Sequence, residues 1–175
     1  MNLLVKSPLR FSLIAIFFVV LMFFISVFLD KNPVIYSSNI IFIGPLMAIF
    51  LFFSIKIYRD TNPDGLRFWQ GFSIGILYTL FFTAFYAIVL WADGTLFETN
   101  HFDEYRQISV ERVIDQKKMI LEQFDEKGYQ DLLIASENQS NLEIILRLVR
   151  NCFIIGIILV PIVSLFMRTP EPKRI

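Results

Sequence analysis

One cysteine and one histidine are all that this 175-residue chain offers for thiol, redox or imidazole chemistry. That scarcity excludes a disulfide framework and any multi-histidine metal centre, and it leaves no cofactor or metal to expect. Net charge is also missing, because 16 Lys and Arg are cancelled by 16 Asp and Glu. A chain with no basic excess has no field with which to attract nucleic acid. A glycine-rich phosphate loop, a serine in a nucleophile setting and an acidic pair inside an apolar run are likewise absent, so the chain carries no recognisable catalytic set.

What it has in abundance is apolar bulk: 55% of residues are hydrophobic and 20 are Phe. They are gathered into uncharged blocks too long for strands and too continuous for amphipathic surface helices. The expected architecture is all-α, an integral membrane four-helix bundle with an extracytoplasmic helical insertion between helices three and four. The uncharged runs 11–29, 34–55 and 68–91 each have the length, about 20 residues or slightly more, that a roughly 30 Å hydrocarbon layer asks of a helix. The run 152–167 covers only about 24 Å at about 1.5 Å per residue. Helix four is therefore expected to start near Asn141 and to recruit Asn151 and Arg150, whose head snorkels outward. The run after Lys6 and Arg10 imitates a signal peptide, but its length and the lack of a small-residue cleavage pattern before Asp30 make it an anchor. Residues 1–91 thus hold three spans, 92–140 the external segment, and 141–175 the fourth span and tail.

Lys and Arg resist translocation, so their places in the short connections set the orientation. Lys6 and Arg10, then Lys56, Arg59 and Arg67, then Arg168, Lys173 and Arg174 mark three cytoplasmic segments. The first connection has a single Lys, and 92–150 dilutes its basic residues among more numerous acids, so these two lie outside. Both termini are then cytoplasmic.

Asn62-Pro63-Asp64-Gly65 is a turn signature that makes spans two and three a tight hairpin, with Asp64 as the cap of the third helix. Along span three Gly71, Gly75, Thr79, Thr83 and Ala87 recur every fourth residue, a face with little bulk where another helix packs closely. Tyr78, Phe82 and Tyr86 form an aromatic line at the same spacing, which reads as packing in preference to a substrate path. Gly44-Pro45 and Pro161 are candidate kinks. Outside, Asp93-Gly94 is expected to end the third helix and Thr99-Asn100, with Asp103 and Glu104, to start a new one. A seam of Val110, Val113, Ile120 and Phe124, widened by Ile114 and Leu121 and interrupted by Lys117, predicts one helix over 101–127, stopped at Gly128 and followed by a short turn through Leu132 and Leu133. Its apolar face should dock onto the ends of spans three and four or onto a partner. Ser140 and Glu143 form a capping box for helix four.

Among possible sites, His101, Asp103 and Glu104 are metal-ligand types but read better as a solvated helix start, and Cys152 as a small buried residue. Asn138-Gln139-Ser140 matches a glycosylation acceptor, yet Ser140 already serves the cap. Lys56, Arg59 and Arg67 at the inner interface, and Arg147 and Arg150 near the outer one, are candidates for lipid phosphate or headgroup contact, with Glu143 offering Arg147 an ion pair.

The hairpin Ile55-Lys56-Ile57-Tyr58-Arg59-Asp60, followed by Gly65-Leu66-Arg67-Phe68-Trp69-Gln70-Gly71-Phe72-Ser73-Ile74-Gly75, resembles the hallmark of a small four-span bacterial inner-membrane family. That family is catalogued as a domain of unknown function and is common in one phylum of Gram-negative bacteria. Members often have a small or basic pair where this chain has Trp69-Gln70, so the Tyr-Arg-Asp start and the Phe and Gly spacing carry the resemblance, which extends over nearly the whole chain. It implies an inner-membrane location and an accessory role in a lipid-linked sugar or envelope pathway, and it transfers no catalytic residue. The function expected is a non-enzymatic interaction or scaffold subunit that holds membrane lipids and a protein partner or further copies of itself. The alternative is a small transporter or lipid-handling protein, moved at Gly44-Pro45 and Pro161.

Overall fold

The computed structural model describes residues 3–63, 65–96 and 100–169, within which helix is the only regular secondary structure. Four helices are long and apolar enough to cross a membrane: α1 (Leu3–Phe28), α3 (Ile40–Thr61), α4 (Phe68–Leu96) and α8 (Asn141–Met167). A short α2 (Pro33–Ser37) joins the first two, and α5 (His101–Asp115), α6 (Lys117–Gln123) and α7 (Glu126–Glu137) form an arm between α4 and α8. Asp64, Thr99, Lys173 and Arg174, which entered the readings above, lie outside the described residues.

Around the bundle the order is α1, α3, α8, α4, each helix packed on the next and α4 closing back onto α1. The α3–α4 connection is short, yet those two helices sit on a diagonal and touch little. At the end where α1 begins and α8 finishes, the connection bends at Gly65, whose φ of 73° favours a residue without Cβ. It is stitched to the far end of α8 by Leu66 N–H donating to Thr169 Oγ1 at 2.9 Å and Thr169 N–H to Leu66 O at 3.0 Å. Asn62 Nδ2 closes the turn on Gly65 O at 2.6 Å. Nearby, Ser7 Oγ donates to Ser54 O at 2.7 Å and ties α1 to α3. Such hydroxyl bonds help to join helices where lipid leaves no hydrophobic gain for association.

The core is a column of buried side chains along α4. Tyr78, Phe82, Tyr86 and Leu90 of α4 are fully buried, with the first three rings stacked at centroid spacings of 6.1 and 6.2 Å. Phe17, Phe24 and Phe166 point outward from the spans, as lipid-facing residues do. α3 and α8 continue through Pro45 and Pro161.

Four readings are corrected. The uncharged run starting at Val34 is not one helix, because Asn32 caps α2 and Asn39, in extended backbone between them, caps α3 separately. Asp93-Gly94 does not break α4, which runs on to Leu96. The helix continues because Gly94 leaves room for the Phe102 ring, 2.8 Å from where a Cβ would stand, and this contact overrides the poor helix propensity of glycine. The single helix over 101–127 is instead two, interrupted at Gln116, next to the seam-breaking Lys117, and ended by extended Phe124. Gly128 is no stop: its N–H donates to Asp125 Oδ1 at 2.8 Å, so Asp125 caps α7, which takes in Leu132 and Leu133.

Candidate functional site

Chemistry-bearing side chains converge at one place, the root of the arm, where α1, α2, α4 and α5 meet. Asp93 faces inward there, 6% exposed, and its carboxylate oxygens lie 3.0 and 3.2 Å from His101 Nδ1. A carboxylate so enclosed needs a partner, and the start of α5 supplies it. Asn32 joins the same cluster from the other side. Its Nδ2 donates to His101 O at 2.7 Å and to Glu104 Oε2 at 2.9 Å, while its Oδ1 accepts from Val34 N and Ile35 N at 3.0 and 3.2 Å. One amide thus caps α2 and clamps α5. Beneath it Phe102 and Tyr105 are buried in the bundle core.

The end of α1 completes the cluster. Lys31 N–H bonds to Ser26 O and Asp30 N–H to Val27 O, with Asp30 at a φ of 52°. This is a Schellman closure in which aspartate occupies the left-handed position usual for glycine. On the other flank, Arg106 reaches out of α5 to Gln139 O at 3.0 Å and Asn141 Oδ1 at 2.8 Å, and also pairs with Asp103. His101, Asp103 and Glu104 therefore point to three different partners and do not converge on a point.

The small-residue face of α4 meets α8 of the same chain. A Cβ built on Gly71 would touch Ser164 at 3.3 Å, one on Gly75 would approach Val160 Cγ1 to 2.7 Å, and one on Gly156 would clash with Thr79. Further along, Thr83 is buried with its hydroxyl donating to Thr79 O at 2.8 Å, and Ala87 is half-buried. Cys152 is buried on the core-facing side of α8.

The basic candidates remain dispersed. Lys56 and Arg59 stand near the end of α3, where Arg59 pairs with Asp60 at 3.1 Å, and Arg67 is exposed just before α4. Arg150 is exposed on α8 and Arg147 half-buried. The Glu143–Arg147 ion pair is not among the described ion pairs, because Glu143 turns back to accept from Ser140 N–H at 2.7 Å. That contact, with Glu143 N–H donating to Ser140 Oγ at 3.2 Å, is the capping box.

Asn32, Asp93 and Arg106 are the residues that sequence reasoning missed. Asn32-Pro33 had a usable signal, since Asn before Pro at a helix start is a cap. Asp93 had none, because an acid following an apolar run looks the same whether it leaves the bundle or turns into it.

A helical bundle with four apolar helices of spanning length is a multi-pass membrane protein. The chain belongs to the family described as Protein of unknown function (DUF4199), which matches residues 10–169. No curated protein and no solved structure matches it.

Proposed function

We propose that the protein is a non-enzymatic interaction or scaffold subunit of the inner membrane of a Gram-negative bacterium. Both termini are cytoplasmic, and the arm stands outside, where it holds a protein partner or a second copy. One observation carries the reading. Ile114, Met119, Leu121, Phe124, Leu132 and Ile134 are all exposed on an arm that projects beyond the spans, where no hydrocarbon accounts for them. Exposed apolar side chains that together present several hundred Å² to water suit a binding face, and at about 25 cal/mol per Å² their burial is worth several kcal/mol. The closed aromatic core of the bundle also supports interaction over transport. The small-residue face of α4 is engaged by α8 and is not offered to a partner, so the arm alone bears the interaction. The resemblance to an envelope-associated family makes a lipid-linked sugar or envelope pathway the natural setting. Lys56, Arg59, Arg67, Arg147 and Arg150 are then contacts for lipid phosphates at the two interfaces.

The test is site-specific photocrosslinking in intact cells from positions 121 and 124, followed by purification in mild detergent. A discrete crosslinked species, lost when Leu121 and Phe124 are both replaced by Ser, is the expected result. Crosslinks to lipid alone would refute the reading.

A further inference from the structure

We propose that the root of the arm binds one membrane phospholipid with a zwitterionic, amine-bearing headgroup, its chain lying between α1 and α4 and its head among Asp30, Lys31 and Glu104. Two adjoining cavities carry the inference. The first, about 400 Å³, is an apolar groove lined by Val20, Phe23, Phe24, Val27, Val89 and Ala92, with Asp93 and His101 also on its wall. The second, about 320 Å³, is lined by Val27, Asp30, Lys31, Asn32, His101 and Glu104. Val27 and His101 belong to both. The groove runs along the last turns of α1, and Val20 and Val27 are about 10 Å apart on the axis at about 1.5 Å per residue. The polar chamber begins where the helix ends, at the level where a bilayer passes from hydrocarbon to headgroup. An apolar slot that adjoins a charged chamber at the end of a spanning helix has the polarity of a lipid molecule.

Charge selects the occupant. Asp30 and Glu104, with Asp93 beside His101 at 3.0 Å on the adjoining wall, put carboxylates in excess of the single ammonium of Lys31. The chamber is therefore acidic with one cation on its rim. A headgroup ammonium complements the carboxylates, while Lys31, now 5.1 Å above the Tyr36 ring, is free to meet the phosphate. A headgroup with only negative charge meets two repelling carboxylates. The inference does not depend on what binds the distal arm.

Native mass spectrometry of the full chain tests it, after exchange of the detergent-solubilised protein with equal amounts of phosphatidylethanolamine and phosphatidylglycerol of identical chains. Wild-type protein should retain one phosphatidylethanolamine in preference, and Val20→Trp, which fills the groove, should lower retention of both lipids about tenfold. Asp30→Asn combined with Glu104→Gln should remove the headgroup preference, a change on the order of fivefold, while leaving chain binding. That pair keeps the fold, since Asn adopts the left-handed conformation readily and Gln still accepts from Asn32. Equal retention of the two lipids by wild type, a preference that survives the double substitution, or full retention by a folded Val20→Trp variant would each overturn the proposal.

Discussion

Replacing Gly75 by leucine drives bulk into the closest approach between α4 and α8, and the structure allows the cost to be worked out. The first added carbon would stand 2.7 and 2.8 Å from the two methyls of Val160 and 3.2 Å from its Cβ. Ordinary carbon contacts are about 3.5–4.0 Å, so the helices must separate by roughly 1 Å or Val160 must rotate. Val160 is fully buried, and its β-branched side chain has little rotamer freedom in a helix. Separation is then the outcome, and a gap of roughly 0.5–1 Å forfeits a quarter to a half of the dispersion along the contact. The loss extends beyond position 75 because Gly71 against Ser164 and Thr79 against Gly156 belong to the same close ladder. Overpacking of this kind costs about 1–3 kcal/mol, and leucine, with three more carbons to place, belongs at the upper end.

Alanine is the control that makes the argument sharp. It introduces the same first clash but gains up to about 1 kcal/mol in helix propensity over glycine, so Gly75→Ala should lose no more than about 2 kcal/mol. Adding Val160→Ala to it should recover part of that loss, with a coupling of about 0.5–3 kcal/mol in a double-mutant cycle. The assay is reversible unfolding in mixed micelles, followed by helicity as the denaturing detergent fraction rises. Wild-type midpoints and unchanged oligomer size for both Gly75 variants would mean that the face meets lipid, and the ladder would have to be abandoned.

Three further outcomes are expected. Asn32→Ala should destabilise by about 1–3 kcal/mol through the lost α2 cap and the unpaired His101 carbonyl, seen as faster amide exchange at 33–37 and 101–105; Asn32→Asp should restore the cap but not the clamp. Ile120→Ser with Phe124→Ser should leave exchange over 101–106 unchanged while Phe102→Ala accelerates it, because buried Phe102 and Tyr105 hold the root; acceleration by the distal pair would place the docking contact in the wrong half of the arm. Reporters fused after residues 62 and 130 should report opposite sides of the membrane, and matching signals would reject the topology.

The spans were legible because a bilayer imposes a harsh, one-dimensional requirement: about 20 apolar residues without charge can satisfy their backbone only as a helix. The capping box at Ser140 was legible for a similar reason, since both halves of the contact lie within one turn. What failed depended on neighbours distant in sequence. Gly94 looks like a helix breaker until Phe102 is known to cross it, and Asp93 looks solvent-bound until His101 is known to face it. The arm misled for a different reason. Its heptad-like seam suggested one continuous helix, but Asp125 offered Gly128 a cap, and local side-chain bonding of this kind competes well where packing is thin. Phe124 and Ile114, which the seam would have buried, are exposed at 55% and 51%.

These particulars bear on where activity resides in the molecule. Tyr78, Phe82 and Tyr86 are fully buried in the middle of the bundle. The polar contacts that orient the arm are confined to its root: Asn32 and Asp93 hold the start of α5, and Arg106 ties that turn to the entrance of α8. Beyond Arg106 the arm is held mainly by its own contacts, with Lys117 paired to Glu126 at 3.5 Å and lying 4.7 Å above the Tyr129 ring. Under the proposed function, occupancy of the distal face would reach the bundle through this root, which borders the groove between α1 and α4. His101 and Glu104, which line the proposed headgroup chamber, also belong to the first turn of the helix that begins the arm. Coupling between the distal face and the chamber would run through the start of α5, where Glu104 meets Asn32, His101 meets Asp93 and Phe102 packs against Gly94. Substitutions at Glu104 should therefore alter the headgroup preference at the root while sparing the α4–α8 ladder.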